Sequence, residues 1–262
     1  MKKIEKNGAV YFVFENMEGM VRHGFSSRIG GVSQGYFAAM NLGLYTDDNP
    51  LAVQENRRRF CDAAGFDVNS ISGLRQQHTT DMIRVDENPV MDMHGDGLVT
   101  NIPGQVLTTY YADCVPLLFY DPVKKVIANC HAGWRGTVHN MAGVAVQRMV
   151  AEYGCNPRNI LAGIGPSICQ RNFEVGPEVA QEFKDLLPFC GDFVYNSDNK
   201  PGKFHIDLWG INRASLMAAG VLKENIEVAG LCTFDDEVHF YSHRRNGKQR
   251  GSLAAFIALG DQ

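Results

Sequence analysis

No apolar run in this 262-residue chain reaches the roughly 18 residues that a membrane-spanning helix needs. That excludes the helical membrane classes. The start, Met-Lys-Lys-Ile-Glu-Lys, lacks the apolar stretch of a secretory signal, so an exported protein is not expected. Charge of one sign is also scarce. The 25 basic and 29 acidic residues nearly cancel to −4, which leaves no electrostatic footprint for nucleic acid or an anionic membrane. The cysteines number seven, an odd count at irregular spacing, with no Cys-x-x-Cys pair. They read as thiols and not as a disulfide framework, and the expected compartment is the cytoplasm. A metal site, if present, has to be assembled from distant segments. There is no internal repeat, no low-complexity tract and no long linker, so one domain over 1–262 is expected.

What is present is an ordinary globular composition, 45% hydrophobic and 21% charged, long enough to bury a sizeable core. Strand-like runs cover 9–14, 20–25, 82–86, 105–111, 115–120, 126–131, 160–164, 226–231 and 238–242. Helix-like runs cover 50–64, 137–153, 177–187, 207–219 and 252–259. Thr137 is placed to cap the second helix, and Pro50 and Gly65 bracket the first. Strands and helices mix without strict alternation, which predicts an α+β fold of mixed sheets with helices packed outside. The loop-rich segment 26–49 is a functional candidate on length alone.

The chemistry concentrates in Tyr111-Ala-Asp-Cys-Val-Pro116 and Asn129-Cys-His-Ala-Gly-Trp-Arg-Gly136. Two apolar runs, 115–120 and 126–131, are joined by Asp121-Pro-Val-Lys-Lys125, a turn. A hairpin centred between Pro122 and Val123 pairs residues whose numbers sum to 245, and Cys114 with His131 is such a pair. A histidine beside a thiol lowers its pKa and makes a nucleophile or a metal ligand. His131 also opens a glycine-containing strand-to-helix turn, where free N–H groups and Arg135 suit an anion. The bland readings are a small buried hydrophobe for Cys114 and a packed turn for the rest. His78 cannot be chosen over His23, His94, His139, His205, His239 or His243 by spacing alone. Arg57-Arg-Arg59 reads as a solvated helix face with one useful member, and 243–251 as a phosphate site or a charged loop in equal measure.

Together these segments resemble the YfiH/DUF152 family, whose members are also called multicopper polyphenol oxidases (laccase-like), purine nucleoside phosphorylases or peptidoglycan editing factors. The resemblance runs over nearly the whole chain. Its markers here are Ser27 to Ser33, Asn41-Leu-Gly43, Glu55-Asn-Arg57, Gln77-His78, Gly95-Asp-Gly-Leu-Val-Thr100, Ala112-Asp-Cys-Val-Pro116, His131-Ala-Gly-Trp-Arg-Gly136, Gly165-Pro166, Phe173-Glu-Val-Gly176, Cys232-Thr233 and Tyr241-Ser-His-Arg-Arg245. It implies a four-layer α/β/β/α fold with mixed sheets. It also implies a metal site, usually zinc, with copper as the alternative, whose ligands by motif position are His78, Cys114 and His131. Arg28, Asn41 and Arg57 match positions near the family's pocket, and Arg135 joins them as a substrate-binding candidate. The implied activities are phosphorolysis of adenosine, inosine and methylthioadenosine, and deamination of adenosine. The partners are then a purine nucleoside and phosphate, with no nucleic acid and no membrane. Thr79 stands where relatives carry glycine after the histidine.

Two imidazoles and one thiolate leave a zinc ion one open position, the arrangement of catalytic and not structural sites. Asp113 is the nearby candidate for the acid that protonates a leaving purine. The rival is a metal-free Cys–His hydrolase or amidase, with Cys114 as nucleophile and His131 as base, and possible links to peptidoglycan precursors. A copper oxidase is disfavoured, because multicopper sites need many more histidines in paired motifs. His78 discriminates: a zinc site requires it and a dyad does not.

Overall fold

Strands buried on both faces organise this chain. The structure, a computed structural model, describes residues 1–260. In chain order the strands are β1 (Lys2–Lys6), β2 (Ala9–Val13), β3 (Arg22–Ser26), β4 (Ile71–Arg75), β5 (Met82–Arg84), β6 (Met93–His94), β7 (Gly97–Thr100) and β8 (Val106–Tyr111). They continue with β9 (Val115–Asp121), β10 (Val126–Ala132), β11 (Leu161–Ile164), β12 (Glu174–Val175), β13 (Val194–Asn196), β14 (Phe204–Ile206), β15 (Ile226–Val228) and β16 (Leu253–Ala258). The helices are α1 (Pro50–Ala64), α2 (Trp134–Val138), α3 (Met141–Tyr153), α4 (Pro177–Leu186), α5 (Leu208–Ala218) and α6 (His243–Asn246).

One sheet has seven strands in the order β1-β2-β3-β16-β8-β4-β6, the other six in the order β15-β11-β9-β10-β7-β5. A small third sheet is β12-β14-β13. The period-two side-chain rule sorts the two large sheets into layers. Along β16, Leu253, Ala255 and Ile257 join Leu118, Tyr120 and Ile127 of the other sheet in a central core. The alternate residues Ala254, Phe256 and Ala258 pack against Phe60 and Ala63 of α1. Along β9, Val115, Leu117 and Phe119 face outward onto Met141, Ala145 and Met149 of α3 and Ile211 of α5. The result is α1, sheet, sheet and the remaining helices: four layers of an α+β fold with mixed sheets.

Three expectations are corrected. Segment 252–259 is not a helix but β16, a central strand bonded to β3 and β8. Leu-Ala-Ala-Phe-Ile-Ala is apolar at every position, so its periodicity cannot separate a strand buried on both faces from a helix. Segment 238–242 is no strand; Phe240 and Tyr241 are buried from a turn-rich loop. Segment 137–153 is two helices. Asn140, at φ 60°, breaks it, and its side chain accepts from Gly143 N–H to start α3. Thr137 lies within α2, where its hydroxyl accepts from Asn212 at 3.0 Å.

Asn129 of β10 ties the two large sheets together. It is fully buried, and its amide donates to Leu107 O at 2.9 Å on β8 and to Ala255 O at 2.8 Å on β16. Its carbonyl accepts from the Thr109 hydroxyl. Asn129→Ala removes the donor to Leu107 O and Ala255 O between the sheets, while Thr109 keeps its bond to the Tyr111 hydroxyl, so it should lower stability by about 2–4 kcal/mol. Urea unfolding of the two proteins, compared by midpoint at unchanged slope, measures this.

Candidate active site

The β9–β10 hairpin has a different register from the expected one. Val126 pairs with Asp121 and Ala132 with Val115, so paired numbers sum to 247, and His131 faces Pro116. The centre of the turn lies one residue further on, between Val123 and Lys124. Asp121 Oδ1 accepts from Val123 N–H at 2.8 Å and Lys124 N–H at 3.0 Å, and Lys125 takes a left-handed φ of 53° to re-enter the ladder. Cys114 therefore lies beyond the last pair, in a bend. The discrepancy in register is two residues, an even number, so Cys114 and His131 still share a face.

The bend is pinned by Asp113, at φ 87°. Its carboxylate accepts from Thr233 Oγ1 at 2.7 Å, Ser242 Oγ at 3.0 Å and Arg244 N–H at 2.6 Å. A group engaged by three donors is a clamp and not the proton donor that its position suggests.

His78 follows β4 in a loop held by two side chains. Gln76 pairs with the backbone of Tyr110, accepting from N–H at 2.6 Å and donating to O at 2.9 Å. Asp96, fully buried, accepts from the N–H groups of Gln77, His78 and Thr79 at 2.9–3.0 Å and from the Thr79 hydroxyl at 3.1 Å. The same carboxylate accepts from His131 Nδ1 at 2.8 Å, and its backbone O accepts from His131 N–H at 2.7 Å. One acid thus orients both histidines. Their rings stand edge to face, centroids 4.8 Å apart.

Ligand-capable atoms of His78, Cys114 and His131 all lie within 4.8 Å of one another. Gly133 permits this approach: a Cβ there would come within 2.6 Å of His78 Nδ1 and 3.1 Å of Cys114 Sγ. Burial opposes ionisation of Cys114, but His131 and His78 outweigh it and bring the thiol down to about 6. Burial likewise opposes a charge on His131, yet the thiolate and Asp96 raise it to about 9. Asp96 resists its own burial through the same hydrogen bonds and stays below the usual carboxylate range. The donor set fits a thiophilic cation. The thiol is already ionised, Nδ1 of His131 is bonded to a carboxylate in the manner of metal-ligating histidines, and the third donor is in reach.

The three residues line a cavity of about 460 Å³, the size range of small-molecule sites. Tyr111, Trp134 and Phe173 supply aromatic wall, and His243, Arg244 and Arg250 supply polar and cationic wall. The other expected binding residues lie elsewhere. Arg28 donates to Ala38 O and stacks over Tyr241. Asn41 is buried and holds Gly43 and Ser252, so it shapes the cavity edge from behind. Arg57 lines a separate cavity on α1 with Gln54 and Arg58. Arg135 is exposed on α2 and stacks on Trp134. Sequence reasoning passed over Asp96 and Arg250. An acid between two glycines, Gly95-Asp-Gly97, was the available signal for Asp96. Arg250 had only its place in the basic stretch. His239, four residues before His243, makes no metal pair with it; its Nδ1 is bonded to Asp236.

Comparison with known proteins identifies the family. Residues 22–260 match the family model described as multi-copper polyphenol oxidoreductase laccase. The chain belongs to this family, the YfiH/DUF152 proteins. A protein of Deinococcus radiodurans named purine nucleoside phosphorylase is 40% identical, over 91% of this chain and 89% of the relative. Purine nucleoside phosphorylase YfiH of Escherichia coli is 36% identical, over 89% of this chain and 92% of the relative. The crystal structure of YlmD from Geobacillus stearothermophilus superposes with a TM-score of 0.92 at 31% identity, covering 98% of each chain.

Three outcomes test this electrostatic picture. A depressed thiol contributes stability above its unfolded value of 9.0 and loses it as pH falls through about 6. A raised imidazole contributes below 6.5 and loses it as pH rises through about 9. Between 6.5 and 9 these slopes oppose, because the imidazole holds the proton that the thiol released. The chelated, metal-free protein should therefore show a nearly flat thermal midpoint across that window. Alkylation of Cys114 should still titrate near pH 6. Asp96→Asn removes the shared acceptor and should weaken metal affinity by about 10–100-fold, read by competition with a chromophoric chelator.

Proposed function

We propose that this protein is a zinc-dependent purine nucleoside phosphorylase that also deaminates adenosine. The observation that carries the reading is the convergence of His78, Cys114 and His131 on one wall of a cavity that also presents aromatic faces and an arginine. The names of the relatives point to the same substrates. Zinc held by these three residues would supply a Lewis acid with an open position, and copper would suit the same donors less well for hydrolytic or phosphorolytic work.

The chain's own residues bind and orient. Trp134 and Phe173 offer flat apolar surface for a purine ring. Arg250 is the anion site. It donates to Gly251 O and Ser252 Oγ through one terminal nitrogen, while its buried Nε has no partner. An unpaired buried donor on a cavity wall is a place for a ligand oxygen. Phosphate held there faces the same space as Cys114, whose charge Arg250 feels. Asp96 keeps the imidazole of His131 oriented and able to hold a proton. Deamination would use water as the nucleophile at C6 of adenosine, with ammonia leaving, and so requires the purine edge, not C1′ of the ribose, to face His78, Cys114 and His131.

One observation favours the metal-free dyad as a second reading: Cys114, His131 and Asp96 stand in the order of nucleophile, base and orienting acid. His78 weighs against it, because its ring reaches within 4.8 Å of the same thiol and the fold spends a left-handed φ of 60° to bring it there.

The protein with zinc and phosphate should convert inosine to hypoxanthine and ribose 1-phosphate. His78→Ala should abolish this as completely as Cys114→Ala, and prolonged chelation should silence both activities. A chelator-resistant turnover surviving His78→Ala would transfer the function to the dyad. Arg250→Ala should raise the KM for phosphate by about 10–100-fold, the value of one or two charge-assisted hydrogen bonds, with little change in nucleoside affinity.

A further inference from the structure

A second cluster of thiophilic donors lies outside the cavity. Cys169, Cys232 and Asp235 bring their ligand-capable atoms within 4.8 Å of one another. The two segments that carry them are joined by backbone. Ser167 N–H donates to Leu231 O at 3.2 Å, Thr233 N–H donates to Ser167 O at 3.1 Å, and Ser167 and Cys232 form a parallel bridge. Cys169 N–H donates to Cys232 Sγ at 3.3 Å, so the thiols are set before any ligand arrives.

We propose that Cys169, Cys232 and Asp235 form a second cation site, for a divalent thiophilic ion of the zinc type. Two arguments carry this. The first is donor geometry. Cys169 Sγ stands 3.8 Å from Asp235 Oδ2. Tetrahedral zinc, with bonds of about 2.3 Å to sulfur and 2.0 Å to oxygen, sets this edge at about 3.5 Å. The second is convergence on one point. The Asn172 amide nitrogen lies 3.3 Å from Cys169 Sγ, 3.4 Å from Cys232 Sγ and 2.8 Å from Asp235 Oδ1. A cation near that point would meet all three side chains at once, binding the sulfurs as thiolates with release of the thiol protons. Asn172 can turn aside, because its side-chain nitrogen bonds only to this cluster among the described residues. Arg171, which pairs with Asp235 at 2.6 Å, is 76% exposed, so that pair is weak and yields. Two sulfurs and one carboxylate select zinc over magnesium or calcium, with water or the Asn172 carbonyl as fourth ligand.

Such an ion would brace the wall of the cavity. Ile168 and Phe173 flank the cluster and line the cavity, and Arg244 donates to the Asn172 carbonyl from the other side. The site is independent of the His78 centre, so its test does not depend on the proposed activity.

The test is metal content and cobalt spectroscopy on four proteins: wild type, Cys114→Ala, the double variant Cys169→Ser/Cys232→Ser, and the triple variant that combines them. After loading with zinc and removal of excess, wild type should hold about two equivalents, Cys114→Ala and the double variant about one each, and the triple variant none. Cobalt in Cys114→Ala should give a thiolate-to-metal charge-transfer band, absent when Cys169 and Cys232 are also replaced. If Cys114→Ala does not fold, zinc protection of Cys169 and Cys232 from alkylation in wild type decides the same question. A Cys114→Ala protein that folds and binds no cobalt overturns the proposal. So does equal alkylation of both thiols with and without zinc, or a Cys169–Cys232 disulfide in freshly purified protein.

Discussion

The carboxylate of Asp96 is the constraint on which the site depends. It accepts from three successive backbone N–H groups of the His78 loop and from the ring of His131. A buried carboxylate is stable only when its lone pairs are filled, and filling them here aligns two segments distant in sequence. The loop at 76–79 cannot relax without exposing that charge. His78 keeps its left-handed backbone for this reason, and His131 keeps the ring orientation that sets Nδ1 against Asp96.

Around this acid the fold supplies rigidity of two kinds. The central core between the sheets is largely apolar, and Asn129 is a buried polar group in it whose amide is bonded to the facing sheet. At the end of that core β10 delivers His131 on the same face as Asn129, two residues on, so a single strand parity places both the tether and the site residue. The bend that carries Cys114 is fixed separately, by Asp113 and its donors from the C-terminal segment. Neither clamp contributes chemistry; together they place the reactive groups within one cation's reach.

Charge explains why Cys114 and His131 can be assembled in so little solvent. Either group alone would be driven neutral by burial. As a set they hold a thiolate and an imidazolium, with Asp96 behind. A cation entering this set displaces the imidazolium proton and keeps the thiolate, which is the exchange expected of ligands poised for metal. The same polarisation is what a nucleophilic thiol uses, so the metal and dyad readings share their electrostatics and differ only in the role of His78.

The sequence by itself determined the local chemistry. The apolar runs of β9 and β10, the glycine two residues after His131 and the shared face of Cys114 and His131, though not their direct pairing, were legible because they are local or set by strand parity. So were α1, with its proline start and glycine stop, and the absence of a long apolar span. Tertiary structure decided what no local pattern encodes. Residues 252–259 became a central strand because β3 and β8 offer hydrogen bonds on both edges, and a run apolar at every position does not state its own period. His78 could be chosen only through family resemblance, since its place depends on a carboxylate eighteen residues away in the chain. Asp96, Arg250 and the cluster at Cys169, Cys232 and Asp235 acquire meaning from neighbours brought together by folding. Burial and long-range hydrogen bonding, which act between segments and leave no mark on spacing, are the physical reason.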